Sequence, residues 1–278
     1  MNINCCKTVL IALLSLILLA PSCYIDDSSA NPITPLPYTT VEGMFDSIGL
    51  APDFYQIDVS EEVELVTEGG SQLLIPKGAL KRADGSEVSG EVELELVELF
   101  SKSDMLLSNI PTVSEGQLLE SGGAFQLLFR KDGDLLQLNE ELKLTFPIHS
   151  EVANPEDMEV FYGRFDGAEP DERLWLPAQD GSRVVLQDTT VQSTYQMYFN
   201  NLDWINCDRF YDLNAPKTAI SATPTSFGTI LLDAQGFVVF KNLNSVMRMD
   251  YRDDFFSAFN VPEGEEVHIV LIAFDRGQ

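Results

Sequence analysis

The sequence predicts an all-β protein: two antiparallel β-sandwich domains after a signal peptide and a flexible tether. Three observations carry this reading. From Val88 the residues alternate as a half-buried strand must, with Val88, Gly90, Val92, Leu94 and Leu96 on one face and Ser89, Glu91, Glu93 and Glu95 on the other. Similar short runs recur between turn signals such as Lys131-Asp132-Gly133, Asp166-Gly167 and Asp180-Gly181. Beyond the first residues no long helical period exists, so the folded part should hold less than about a fifth helix.

Met1–Ser22 has one basic residue, Lys7, ahead of the apolar run Val9–Ala20, which has the length of a signal-peptide core and is too short to span a bilayer. Cys23 follows directly, and the arrangement resembles a bacterial lipoprotein signal. The resemblance implies that residues 1–22 are removed and that Cys23 becomes the lipid-bearing N-terminus, acylated with palmitate-like chains. Residues 23–40 then form the anchor and an extended tether, rich in proline and small polar residues. Asp26-Asp27 resembles the export signal of Bacteroidetes-type lipoproteins, which implies the outer face of the outer membrane. The same pair equally suits a solvated tether, so a periplasm-facing domain is the alternative.

In chain order, Val41–Leu50 is expected as a short helix, and Phe54–Val59 and Glu62–Val66 as strands. Gln72–Ile75 is a strand stopped by Pro76, which has no N–H for a ladder. The next strand runs to Leu99, and the adjacent apolar pair Leu96-Val97 predicts a β-bulge. Ser101–Asn109 reads as a helical crossover. Glu120-Ser121-Gly122-Gly123 is expected to turn into a strand Ala124–Phe129, with Asp134–Leu138 returning and Leu142–Ile148 following. Met158–Arg164, Arg173–Leu176, Arg183–Gln187 and Gln192–Phe199 continue the series, so 41–202 forms the first sandwich region. A composition change places a C-terminal domain at 203–278. Its last strand, Val267–Phe274, is apolar on both faces and so reads as central. The Asp275-Arg276-Gly277 turn behind it looks like a hairpin turn without a second strand, which leaves an incomplete domain, an edge filled by a partner strand, or a strand that pairs with those earlier in the domain.

Within this plan, Gly69, Gly70, Leu73, Ile75, Pro76, Gly78, Ala79, Leu80, Gly85, Val88, Gly90 and Val92 form a pattern that resembles a ZU5-type β-sandwich. The resemblance implies a protein-interaction fold without chemistry of its own. Two further words, Ile110–Ser114 with Gly116 and Leu118–Gly123, and Trp204-Ile205-Asn206-Cys207-Asp208-Arg209-Phe210, resemble segments of Bacteroidetes surface proteins. In the second, Trp204, Asn206, Asp208, Arg209 and Phe210 serve either as an interaction motif or as packing at a domain junction.

The formal net charge of −27 repels nucleic acid and anionic lipid surfaces. The two histidines, His149 and His268, belong to no metal-protease motif, and neither a CxxC, a GxSxG nor a phosphate loop is present. His149-Ser150 only partly resembles the cleavage site of self-cutting relatives of the ZU5 fold. Cys5 and Cys6 leave with the signal, so Cys207 is the one thiol expected to remain, as a small buried hydrophobe. The acidic turns Asp132-Gly133-Asp134, Asp166-Gly167 and Asp253-Asp254 lack the twelve-residue calcium loop and read as turns. No catalytic residue, metal or cofactor is therefore assigned. The expected protein is a membrane-anchored, surface-exposed lipoprotein acting as a protein- or glycan-binding module without catalysis. An envelope scaffold subunit is the first alternative and a carboxylate-dependent glycan hydrolase the second.

Overall fold

The computed structural model describes residues 38–164, 174–188, 192–224, 233–252 and 255–274. They begin with α1 (Val41–Ile48), β1 (Asp53–Asp58), β2 (Val63–Val66), β3 (Gln72–Ile75), β4 (Leu80–Lys81), β5 (Glu91–Leu99) and α2 (Lys102–Leu107). The middle adds β6 (Val113–Ser114), β7 (Gln117–Lys131), β8 (Asp134–Leu135), β9 (Gln137–Leu138), β10 (Leu142–Pro147), β11 (Glu159–Arg164), β12 (Leu174–Pro177), β13 (Arg183–Gln187) and β14 (Thr194–Phe199). β15 (Asp203–Phe210), β16 (Lys217–Ala222), β17 (Ala234–Phe240), β18 (Val246–Arg252), β19 (Phe255–Pro262) and β20 (Val267–Ala273) complete them.

The fold is all-β. Its two short helices both start on a side-chain cap, the Thr40 hydroxyl accepting from Gly43 N–H in α1 and Ser101 with Asp104 forming a capping box in α2. The strands make three main antiparallel sheets. The first runs β1-β5-β7-β15-β11-β12, with β6 and β8 attached to β7; the second runs β13-β14-β10-β3-β2; the third runs β16-β19-β18-β17-β20. All three lie within one compact unit, Pro37–Gln278.

The first sheet is the middle layer. Leu94, Leu96, Phe125, Leu127, Phe129 and Ile205 on its inner face meet Leu73, Ile75, Leu144, Phe146, Met197 and Phe199 of the second sheet in a dry core. In the second sheet the intervening residues of β10 and β14 are less buried, and that one-sided burial imposes the period of two. On the outer face, Val97, Leu99, Ala124 and Phe161 pack against α1, α2 and Phe237 and Val246 of the third sheet. A further cluster, including Leu118, Val238, Phe240, Met249 and Phe256, lies on the other face of the third sheet.

Four expectations are corrected by this layering. β5 pairs with β7 in unbroken register from Glu93 to Leu99, so no bulge marks Leu96-Val97. The apolar pair arises because Leu96 faces the second sheet while Val97 faces α1 and the third, which buries both sides of the strand. The bulge lies instead in β7: Cys207 is opposite Gly123 and Asp208 opposite Ser121, which leaves Gly122 as the extra residue. Asp203 opens no new domain, because β15 sits between β7 and β11 in the first sheet. The chain enters the third sheet only with β16. β20 is an edge strand paired with β17, not a central one, and Ile269 and Leu271 are exposed on it. Finally, Asp134–Leu138 is divided at buried Leu136, so that β8 pairs with β7 and β9 with β4.

Candidate functional site

Gly122 brings together the two sequence words that stood out. A side chain there would meet the Tyr195 ring at 3.0 Å and the Cys207 carbonyl at 3.1 Å, so the close approach of β7 to β15 requires glycine. Around the bulge, Glu120 accepts from Arg209 Nε and Nη2 at 2.9 and 2.6 Å and from the Ala153 N–H at 2.6 Å. Ser121 Oγ donates to Asn206 Oδ1 at 3.0 Å, and Asn206 Nδ2 donates to Asp208 Oδ2 at 2.6 Å. Burial pushes the Asp208 carboxyl well above its ordinary range, with Glu120 adding to the rise and Ser121 opposing it. Burial likewise raises the free Cys207 thiol, which makes it unreactive.

Beside the bulge, the Ser121 peptide groups bond to Asn244 in the connection between β17 and β18. The Ser121 N–H donates to the Asn244 carbonyl at 3.1 Å, while Asn244 Nδ2 donates to the Ser121 and Phe100 carbonyls, each at 2.8 Å. Ser245 Oγ donates to the Leu119 carbonyl, and Thr112 exchanges bonds with Val246. Asn206, Asp208 and Arg209 are thus occupied in tying β15 to β7 within the first sheet, while Asn244, Ser245 and Thr112 join that sheet to the third. Phe210 packs edge-on against Phe161.

Trp204 has a different setting. It stands opposite Gln126 of β7, which in turn stands opposite Val97 of β5. The third sheet and α1 leave this part of the outer face uncovered, and a shallow trough runs along it. One cavity of about 510 Å³ is lined by Gln126, Gly163, Arg164, Asp203 and Trp204 among others. A second, of about 350 Å³, is lined by Asp46, Ser47, Pro52, Glu95 and Ser108, again with Gln126 and Trp204. The cross-strand pair Trp204 and Gln126 is the saddle between the two. Gln126 Nε2 donates to Asp203 Oδ1 at 2.7 Å, and Asp203 is held at φ 76°, a left-handed backbone that a non-glycine residue adopts at a cost. Behind the saddle Trp204 meets buried Trp175 edge-on at 6.4 Å, and Trp175 Nε1 is fixed by the Pro111 carbonyl at 2.9 Å.

The trough therefore offers an aromatic side chain, an amide and a carboxylate in fixed relation, on rigid strands. Sequence reasoning singled out Trp204 but missed Gln126, Asp203 and Glu95. Gln126 is the one polar residue in the apolar run Ala124–Phe129, on the face opposite Phe125, Leu127 and Phe129, and that was the available signal. The Asp132 and Asp134 carboxylates are filled by Arg82, at 2.7 and 3.2 Å. His149 is stacked on Phe100 at 4.2 Å, and its burial lowers its pKa against the pull of Asp104, Glu151 and Glu98. Among the described residues no cluster of three or more His, Cys, Asp or Glu is arranged to hold a metal. Cys23, Asp26, Asp27, Asp166-Gly167 and Asp253-Asp254 lie outside the described residues. In comparisons with family models, curated proteins and solved structures, the chain matches none.

Proposed function

We propose that the chain is a lipid-anchored extracytoplasmic binding module, ZU5-like over residues 41–202, that takes an extended uncharged glycan along the trough. The single observation that carries the glycan reading is Trp204 placed between two cavities, with the Gln126–Asp203 pair beside it. Sugars present an apolar face of C–H groups and a rim of hydroxyls, so they need an aromatic surface with fixed acceptors and donors around it. The net charge of −27 disfavours polyanionic ligands and leaves neutral chains as the matching class. Cys23 carries the anchor in this reading, and Asp26-Asp27 directs the protein to the cell surface. More than two acyl chains would hold it stably, since each buried CH₂ contributes about 0.8 kcal/mol.

Affinity electrophoresis through gels containing neutral polysaccharides tests the site. The purified protein should be retarded by at least one of them, and Trp204→Ala should migrate freely while keeping its circular dichroism. Retardation unchanged by Trp204→Ala moves the ligand elsewhere. Turnover of an oligosaccharide that stops with Glu95→Gln overturns the non-catalytic reading. Replacing Cys23 with Ala should release the protein from the membrane fraction, and protease shaving of intact cells should cut the wild type.

A further inference from the structure

The six edges of the three sheets are not alike. β1 carries Asp53 and Asp58 at its ends. β2 and β12 are four residues long, and β12 ends in Pro177. β13 opens on Arg183, which Glu141 holds at 2.6 Å. β16 opens on Lys217, and its register with β19 shifts between Thr218 and Ile220. Charge, brevity, proline and bulges are the devices that keep an edge from pairing with another chain. β20 has no Asp, Glu, Lys or Arg, no proline and no bulge within its own residues. It is seven residues long, VHIVLIA, and pairs with β17 without a shift from Val267 to Ala273. Ile269 and Leu271 are 40% and 38% exposed on one of its faces. Val270 and Ile272 on the other pack into the core under the third sheet, so the strand is held in place while its outer edge has no strand beside it among the described residues.

We propose that β20 is an acceptor edge, to which an extended segment of a partner protein adds as a further strand of the third sheet. Alternate apolar side chains of that segment cover Ile269 and Leu271, and basic residues flank them. Charge selects this occupant. Glu263, Glu265 and Glu266 stand at the turn into β20, where Tyr211 donates to Glu265 and Lys241 pairs with Glu266, and Asp233 lies beside its far end, its carbonyl accepting from the Phe274 N–H and its carboxylate from the Val41 N–H, so that acid remains in excess over the one lysine. A second copy would bring the same acids and a net charge of −27 to the contact, whereas a Lys- or Arg-flanked strand is complementary. Main-chain bonds then supply affinity and the alternate side chains supply selectivity, as in other strand-addition complexes.

Hydrogen exchange of the purified full chain tests the proposal, with two nine-residue peptides of alternating Val and Thr as probes, one ended by lysines and one by glutamates. In the free protein, the β20 amides that point away from β17 should exchange at least about tenfold faster than those bonded to it. The lysine-ended peptide should slow them about tenfold, the glutamate-ended one should not, and Ile269→Lys should abolish the effect with the thermal melt retained. Leu271→Lys serves the same purpose if Ile269→Lys fails to fold. Outward amides already protected in the free monomer overturn the proposal, as does equal protection by both peptides. A concentration-dependent dimer protected at β20 overturns it in favour of a second copy.

Discussion

β7 is one strand of fifteen residues with two unlike halves. From Ala124 onward it is in regular register, with β5 as far as Arg130, with β15 as far as Leu127 and with β8 at Arg130 and Lys131; its residues alternate between core and surface, and Gln126 faces the trough. From Leu118 to Gly123 every residue is buried, the ladder is interrupted at Gly122, and Glu120 and Ser121 are bound into a polar network. The regular half is held by apolar transfer, which is additive and forgiving. The other half is held by satisfied buried polar groups, which are costly to disturb one at a time. The same sheet thereby has a buried polar junction at one end and, at the other, a face where the Gln126–Asp203 pair lies beside Trp204.

The largest expected effect comes from breaking the junction. Arg209→Ala leaves the fully buried Glu120 without its cation, which should cost about 3–5 kcal/mol in urea unfolding. Replacing both partners together, Glu120→Leu with Arg209→Met, should recover most of that loss, because no lone charge remains in the interior. If Arg209→Ala costs no more than an ordinary surface change, about 0.5 kcal/mol, the two halves of β7 are not energetically distinct.

The next effect reads the same junction through pH. The raised Asp208 pKa means that, above the unfolded value of about 3.9, the folded state keeps a proton that the unfolded state has lost. Its contribution to stability is fully present below that value and falls as pH rises toward the folded pKa, by at most about 1.4 kcal/mol per pH unit. Asp208→Asn lacks the titration, so the stability difference between variant and wild type should shift in favour of the variant as pH rises from 4 to 7. A pH-independent difference would show that Asp208 is ionised in the fold.

These halves were unequally legible in the sequence. One-sided burial writes itself as alternation, and so Val88–Leu96, Ala124–Phe129 and Gln192–Phe199 were read as strands. Glu120-Ser121-Gly122-Gly123 looked like a turn because its cover and its hydrogen bonds come from Asn206, Arg209 and Asn244, residues 85 to 123 positions away for the bonds they make. Local composition carries no trace of partners at that distance. β20 failed for the opposite reason: an apolar strand is the same string whether its second face meets a core or, as at Ile269 and Leu271, lies exposed. The site was half legible, since Trp204 is a distinctive residue while Gln126 and Asp203 acquire meaning only from the register that sets them beside it.

The smallest effect on stability, and the sharpest on function, belongs to Gln126. It is half-buried and its side chain bonds to exposed Asp203, so Gln126→Leu should change unfolding stability by no more than about 0.5 kcal/mol. Leucine keeps most of the volume against Val97 and Trp204 but removes the donor that holds the Asp203 carboxylate and the acceptor beside the ring. A ligand that lies across the saddle should lose at least about tenfold in affinity, or about 1.4 kcal/mol, since its hydroxyls would face an apolar group. Tryptophan fluorescence offers a direct readout: Trp175 is buried and Trp204 is partly accessible, so ligand-induced shielding from iodide should report on Trp204. Shielding that persists unchanged in Gln126→Leu would place the ligand against the ring without crossing between the cavities. Shielding lost together with the fold would place Gln126 in the junction class and erase the contrast between the two halves of β7.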